Sequence, residues 1–301
     1  MTSLPAQALW HSAGPGPSRP CDDGYEEADD NGPVLLQTAT ALSKVGDHTF
    51  AWDVPDGWQQ GRGAWGGLVA AGVARAVELS ERSSERSLRT LSLHLPAPLP
   101  VGRVTVRVAP LRVGSGLSTW TVSVHDAGEA VCAHAVVLTG RSRVPDLSAD
   151  ARSWPTAQPP TIPAWTEVAA LPSGLPGMPV FLQHLEVRPV QGLPLQGGQP
   201  RCLGYVRLAD QGAWDVRQLL AVVDAWWPTV LTVLPSMRPL ATVTYAAHVL
   251  VDPSTIAAGE PLVYEASMAG TEGGFTTETR RLWTLDSRLA VENHQSIVVI
   301  A

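Results

Sequence analysis

LLAVVDAWWPTVLTVL, residues 219–234, carries one charged side chain, Asp224, among apolar residues, two tryptophans and a proline. Joined to the preceding DVRQ, the stretch reads as a mostly apolar helix over residues 215–234. A helix that is apolar nearly all round has to be buried. Asp224 and Pro228 interrupt it and the apolar run is short, so it does not read as a membrane span. The simplest burial is inside the curve of a strongly twisted antiparallel sheet.

The flanking sequence supplies such a sheet. FLQHLEVRPV and CLGYVRLAD precede the helix, and ATVTYAAHVLV, EPLVYEASMA, GFTTETRRLWTLD and RLAVENHQSIVVI follow it, all strand-like in pattern. The same order stands earlier in the chain. DHTFAWDV comes first, then a helical GAWGGLVAAGVARAVELSER, then RTLSLHLPAP, GRVTVRVAPLRV, LSTWTVSVHD and EAVCAHAVVLTG. AVCAHAVV (130–137) aligns without a gap to AVENHQSI (290–297), pairing His134 with His294 and Ala135 with Gln295. The chain therefore reads as an internal duplication with a period of roughly 150 to 160 residues, far longer than a solenoid repeat. The expected fold class is α+β: a double hotdog, two tandem antiparallel sheets each wrapped around a central helix.

Four segments follow from this. Residues 1–36, rich in Pro, Gly, Ser and acidic side chains, read as a mobile tail. Residues 37–145 form the N-terminal hotdog, and residues 178–301 the C-terminal one that carries the candidate site. Between them, residues 146–177 are a linker: prolines at 155, 159, 160, 163, 172 and 176 deny the backbone its ladder donors.

The 301 residues are 45% hydrophobic and 16% charged, with mean hydropathy +0.05, which suits a folded globule with ample core. A net charge of -7 without a basic cluster argues against a nucleic-acid partner. Cys21, Cys132 and Cys202 lack the spacing of a disulfide framework or a thiolate metal site, and the histidines lack HxxxH or HxH spacing. No metal and no cofactor are expected. The N-terminus lacks the basic start and apolar core of a signal peptide, so the expected compartment is the cytoplasm.

GRGAWGG (61–67) contains a literal GxGxxG, yet DGWQQ precedes it and an antiparallel meander follows, which disfavours a dinucleotide site. Gly66 and Gly67 start a helix whose free N–H groups suit an oxyanion or carbonyl; the plainer alternative is close packing of helix on sheet. VGSGL (113–117) lacks the GxSxG spacing of a serine hydrolase, and DAG (126–128) reads as a turn. Asp224 stands apart. A carboxylate on a buried helix either finds donors or has its pKa raised, and a raised pKa makes a stronger base. Thr242 and Gln295, on strands beside that helix, are the polar residues able to hold a water with it.

With these residues on view, the DA of VVDAWWP, the ATV of PLATVTYAAHV and the HQS near the C-terminus resemble the matching segments of double-hotdog acyl-CoA thioesterases, the thioesterase II group. WGGLVAAGVARA is similar to the glycine-rich start of that family's first hotdog helix. The resemblance spans residues 45 to 301 and implies that Asp224, Thr242 and Gln295 bind and activate the attacking water. The chain departs from the family at Thr244 and Tyr245, where an aspartate and a histidine are usual, and at His248 and Val249. Those changes imply a reshaped acyl pocket, for which Gly66, Gly67, Trp226, Trp227 and Tyr245 are the candidate substrate-binding residues.

The expected function is hydrolysis of an acyl-CoA or acyl-carrier thioester. Two alternatives stay open: a hotdog hydratase or dehydratase of acyl thioesters, and a non-hydrolytic protein that binds a hydrophobic ligand in a natural-product pathway. A hydratase needs an acid and a base, and only His294 beside Gln295 offers one; adjacent strand residues face opposite ways, so both cannot face the site. Open sheet edges predict a homodimer or higher oligomer.

Overall fold

The computed structural model describes residues 35–143, 158–174 and 177–300. Nearly all of the tail expected over 1–36, and residues 146–157 and 175–176 of the linker, lie outside the described residues.

The first half runs α1 (Leu36–Ala39), β1 (Leu42–Gly46), β2 (Thr49–Val54), the two-residue strands β3 (Gln59–Gln60) and β4 (Gly63–Ala64), α2 (Gly66–Ser80), β5 (Arg86–His94), β6 (Gly102–Val113), β7 (Leu117–His125) and β8 (Val131–Arg141). The second half runs β9 (Leu185–Gln191), β10 (Arg201–Leu208), α3 (Val216–Val222), β11 (Leu240–Val249), β12 (Leu262–Glu272), β13 (Phe275–Trp283) and β14 (Leu289–Val299). The main sheet has the order β1-β2-β6-β7-β8-β5-β11-β14-β13-β12-β10-β9, which reads the same from either end once the halves are matched. The duplication seen in the sequence is thus a pseudo-twofold in the fold, and His134 and His294 occupy equivalent strands, paired with β5 and β11 respectively.

The two sheets expected in tandem are joined. β5 and β11 pair antiparallel through Thr244↔His94, Ala246↔Ser92 and His248↔Thr90, so one twelve-stranded sheet wraps both helices. Each half would otherwise end in an unpaired edge at this point, and pairing the two edges satisfies both rows of backbone donors and acceptors.

Alternation of burial along β7 and β14 marks the concave face. α2 fills that concavity in the first half: Leu68, Val69, Ala70, Ala71, Val73, Ala74, Ala76 and Val77 are each no more than 1% exposed. α3 fills the second, with Leu219, Leu220, Ala221, Val222 and Val223 fully buried. Burying a Leu or Val side chain contributes about 1.5–3 kcal/mol, so both helices are held by their apolar surface more than by intrinsic propensity.

α3 is much shorter than the helix expected over 215–234. Asp215 caps its start by accepting from Gln218 N–H, and the regular turns stop at Val222. The chain then tightens, Asp224 N–H bonding to the Ala221 carbonyl, and a 3₁₀ turn follows at Thr229–Thr232. Pro228 keeps the ladder from resuming further on, because it disfavours helical geometry at Trp227 and has no N–H to give the Asp224 carbonyl, which accepts from Trp65 Nε1 instead. Asp224 consequently sits just past the helix rather than within it.

The expected linker also does more than connect. Its described part lies on the outer face of the second half, where Val168, Tyr205, Val263 and Trp283 form a small second core with Ile162, Trp165 and Leu289. Arg188 stacks over the Trp165 ring at 3.9 Å and donates to the Trp165 and Val168 carbonyls.

At the far end of α2, Glu81 accepts from Arg86 at 2.5 Å, from Thr139 at 2.6 Å and from Ser83 N–H. Burial pushes its pKa up, but these donors outweigh burial and hold it down to about 2. A depressed folded-state pKa means that the ionised group stabilises the fold above its unfolded value of 4.5, and that this contribution is lost as pH falls toward 2. Glu81→Gln should cost about 1–3 kcal/mol at pH 7, and the gap from the wild type should close as the pH of urea melts is lowered through that window.

Candidate active site

Asp224 is 6% exposed and lies where the two halves meet. Its Oδ1 accepts from Gln295 Nε2 at 2.7 Å and from Arg280 Nη1 at 2.8 Å. From the first half, the backbone N–H of Gly67 at the start of α2 also hydrogen-bonds the carboxylate, and Trp65 Nε1 donates to the Asp224 carbonyl at 2.9 Å.

Glycine is required at this approach. A Cβ on Gly66 would stand 2.8 Å from Asp224 Oδ2, and one on Gly67 would stand 2.7 Å from the Ala221 carbonyl and closer still to the Trp65 ring. Of the two readings of these glycines, the structure shows the close packing, and the Gly67 N–H is engaged by Asp224 rather than left free. The group at the helix N-terminus is the carboxylate of Asp224, which sits where the positive end of a helix dipole favours negative charge.

Gln295 is 2% exposed and faces inward from β14. Its Nε2 gives both hydrogens away, to Asp224 and to Asn293 Oδ1 at 3.0 Å, while Oε1 accepts from Thr242 Oγ1 at 3.3 Å. Asn293 is itself fixed by donating to the Ala246 carbonyl. The network thus sets the orientation of the Gln295 amide. Thr242 reaches it because of a bulge: the β11–β14 register shifts between Thr242 and Thr244, so Thr242 pairs with buried Ile297 and shares the inner face with Tyr245. Without the extra residue Thr242 would point to the outer face.

Three sequence-derived residues therefore converge, Asp224, Gln295 and Thr242. The other candidates lie around them. Tyr245, 1% exposed, donates to the Leu220 carbonyl at 2.7 Å and ties β11 to α3. Trp226 stacks on Tyr264 with centroids 4.7 Å apart, its ring lying over Gly204, and Trp227 Nε1 donates to the Gly192 carbonyl. His294 is on the outer face, bonded to Thr279 and Glu292, as strand alternation requires once Gln295 faces inward. Gly61, Gly63 and Gly66 of the GxGxxG belong to a β3–β4 hairpin and the start of α2, not to a parallel strand-helix-strand unit. Asp126 closes a turn by accepting from Gly128 and Ala130.

Arg280 and Glu278 are the part of the site that the sequence reading missed. They are 1% and 3% exposed and stand on the inner face of β13, beside Asn293 and Gln295 in the register. Arg280 Nε and Nη2 bond Glu278 Oε1, and Glu278 Oε2 accepts the N–H of Thr229 at 2.7 Å and its hydroxyl at 2.6 Å. The signal was present in GFTTETRRLWTLD, where Thr276, Glu278 and Arg280 share parity with buried Leu282; Trp283, also buried, obscured which face was inside.

Burial is the largest influence on Asp224 and raises its pKa above the ordinary 3.8. Arg280, Gln295 and the Gly67 N–H pull the other way and Glu278 pushes up, with burial prevailing. The result is a carboxylate more basic than a solvated aspartate, beside an oriented amide and a hydroxyl. Such a set suits proton abstraction from water.

Family comparison agrees with this architecture. Models described as the acyl-CoA thioesterase N-terminal domain and the acyl-CoA thioesterase C-terminal domain match residues 54–140 and 153–299. Among solved structures, a conserved hotdog-fold protein of unknown function from Alicyclobacillus acidocaldarius superposes with TM-score 0.79 at 23% identity. The tesB protein of Mycobacterium avium subs paratuberculosis gives 0.70 at 13%, and the acyl-CoA thioesterase II TesB2 of Mycobacterium marinum 0.68 at 15%. Each alignment covers 88% of this chain and 98% of the other. No curated protein matches the sequence at the significance required. Among the described residues no helix is long and apolar enough to cross a membrane. By its two matched domains and its hotdog architecture, the chain belongs to the acyl-CoA thioesterase family and is a hydrolase of thioesters.

Proposed function

We propose that the protein hydrolyses an acyl-CoA or acyl-carrier thioester with Asp224 as general base. The observation that carries this reading is the continuous chain from Thr242 through Gln295 to Asp224. Asp224 takes a proton from a water that Thr242 and Gln295 orient, and the resulting hydroxide adds to the thioester carbon. The positive end of α2 at Gly66 stabilises the oxyanion, the C–S bond breaks, and the thiolate leaves with the proton held by Asp224. A thiol pKa near 8.5 makes the sulfur a competent leaving group with little acid assistance, so no second titrating partner is needed. Tyr245, Trp226 and Trp227 serve as walls of the acyl site, since the hydroxyl of Tyr245 and the indole N–H of Trp227 are already bonded within the core.

In the same reading, residues 37–145 and 178–301 are the two hotdogs joined by 146–177, and the open strands β1 and β9 at the sheet ends are the surfaces for a homodimer or higher oligomer. Cys132 and Cys202 are buried free thiols, in keeping with work in a reducing cytoplasm.

The test is hydrolysis of acyl-CoAs of graded chain length in ¹⁸O-labelled water, read by thiol release and by mass spectrometry of acid and enzyme. One label per product acid with no acylated enzyme is expected. A trapped acyl-enzyme would refute the direct attack of water, and no thiol release on any chain length would refute hydrolysis.

A further inference from the structure

The proposed base does not stand alone in the interior. One guanidinium, Arg280, is shared between two buried carboxylates, Asp224 and Glu278. The sharing is unequal. Glu278 takes two of the N–H groups of Arg280 and both donors of Thr229, whereas Asp224 takes a single N–H from Arg280 and relies on Gln295 and Gly67 for the rest. Thr229 immediately follows Pro228 in the turn beyond Asp224, so Glu278 also fastens to β13 the loop that carries the base.

Removing three charged groups from water is costly, and apolar replacements of such clusters often leave stability unchanged or improved. Retaining the cluster beside the reacting carboxylate calls for a functional reason. We infer that Glu278 is a positioning residue for Asp224: by engaging two arms of Arg280 and the Thr229 turn, it limits the positive charge that reaches the base and so sets the pH at which hydrolysis begins. This inference rests on Asp224 being the base.

The groups around Asp224 leave Glu278 as the one that adds negative charge. From β13 it faces Arg280 and Glu278, from β14 the neutral Gln295, and from α2 the Gly67 N–H. Tyr245 on β11 and Tyr264 on β12 lie in its field, and both phenols are held well above their ordinary range by burial. Cys202 on β10, near Arg280 and Glu278, is pushed up to about 12 by burial and carries no charge at working pH. Glu278 pushes the Asp224 pKa up and Arg280 pulls it down, so neutralising Glu278 weakens the base and lets it ionise at lower pH.

The experiment is the pH profile of kcat and kcat/KM for acyl-CoA hydrolysis by wild type, Glu278→Gln and Asp224→Asn. For Glu278→Gln the acid limb should move down by about one pH unit and the plateau kcat should fall several-fold with KM little changed, because a weaker base accepts a proton less readily. A purely structural role would lower the melting temperature and leave the limb in place; that result overturns the inference. Should Glu278→Gln fail to fold, Thr229→Val removes one donor to Glu278 with little change of volume. One fewer donor then offsets the Glu278 charge, so an upward movement of the limb supports the role, and an unmoved or lowered limb overturns it. The two levels of failure separate: an active Asp224→Asn removes the base itself, whereas an inactive Asp224→Asn with an unmoved limb in Glu278→Gln removes only the tuning.

Discussion

Asp224→Asn should lower kcat for acyl-CoA by about a hundred- to ten-thousandfold while the fold survives. The amide keeps the volume of the carboxylate and an oxygen able to accept from Gln295 and Arg280, so the polar network loses little geometry. What disappears is the group proposed to take the proton from water. General-base assistance of this size corresponds to about 2.7–5.5 kcal/mol of barrier, which sets it apart from the smaller changes that follow a shifted strand. KM should change little, since the water and not the acyl chain meets this side chain. Circular dichroism and a thermal melt establish that the variant is folded, and steady-state thiol release gives the rate. Turnover at the wild-type level would end the assignment of Asp224 as base.

The second large effect is on stability. Replacing Arg280 by methionine leaves Asp224 and Glu278 facing one another in the interior without a cation, and breaking a buried ion pair in this way costs about 3–5 kcal/mol. The loss has a pH signature. Asp224 already has its pKa raised by burial, and without Arg280 the largest opposing influence is gone. A carboxyl whose folded-state pKa lies above its unfolded value favours the folded chain at low pH and loses that contribution as pH rises through the folded-state pKa. Arg280→Met should accordingly be weakest near pH 8 and recover part of its deficit near pH 5, read from urea midpoints. A deficit below about 1 kcal/mol, or one flat with pH, would mean that water or rearranged side chains replace the guanidinium.

The structural neighbours bear on fold and leave substrate choice to this chain's own residues. Where the family resemblance leads one to expect an aspartate and a histidine after Thr242, Thr244 has its hydroxyl on the Ser296 N–H and Tyr245 bonds the Leu220 carbonyl. Both positions are spent on holding β11 to β14 and to α3. At Tyr245 the departure from the family pattern is a core interaction that ties β11 to α3.

Much of this was legible before any coordinates. Alternation in β7 and β14, the all-round apolar character of residues 219–223, and the gap-free match of 130–137 to 290–297 were enough for two helix-and-sheet units, because periodicity and burial are local properties of a chain. Asp224 was legible as a buried carboxylate that has to find donors or shift its pKa, since an uncompensated charge in an apolar run is costly. Tertiary structure alone decided the rest. That β5 and β11 pair into one sheet depends on two edges separated by more than a hundred residues, and that Thr242 faces Gln295 depends on a one-residue bulge that no alternation pattern announces. The bonding of Asp224 by Gly67, Gln295 and Arg280 joins three elements from both halves of the chain. Sequence proximity carries no record of such contacts; they exist only once burial has brought the elements together, and the charge balance at Asp224 is settled there.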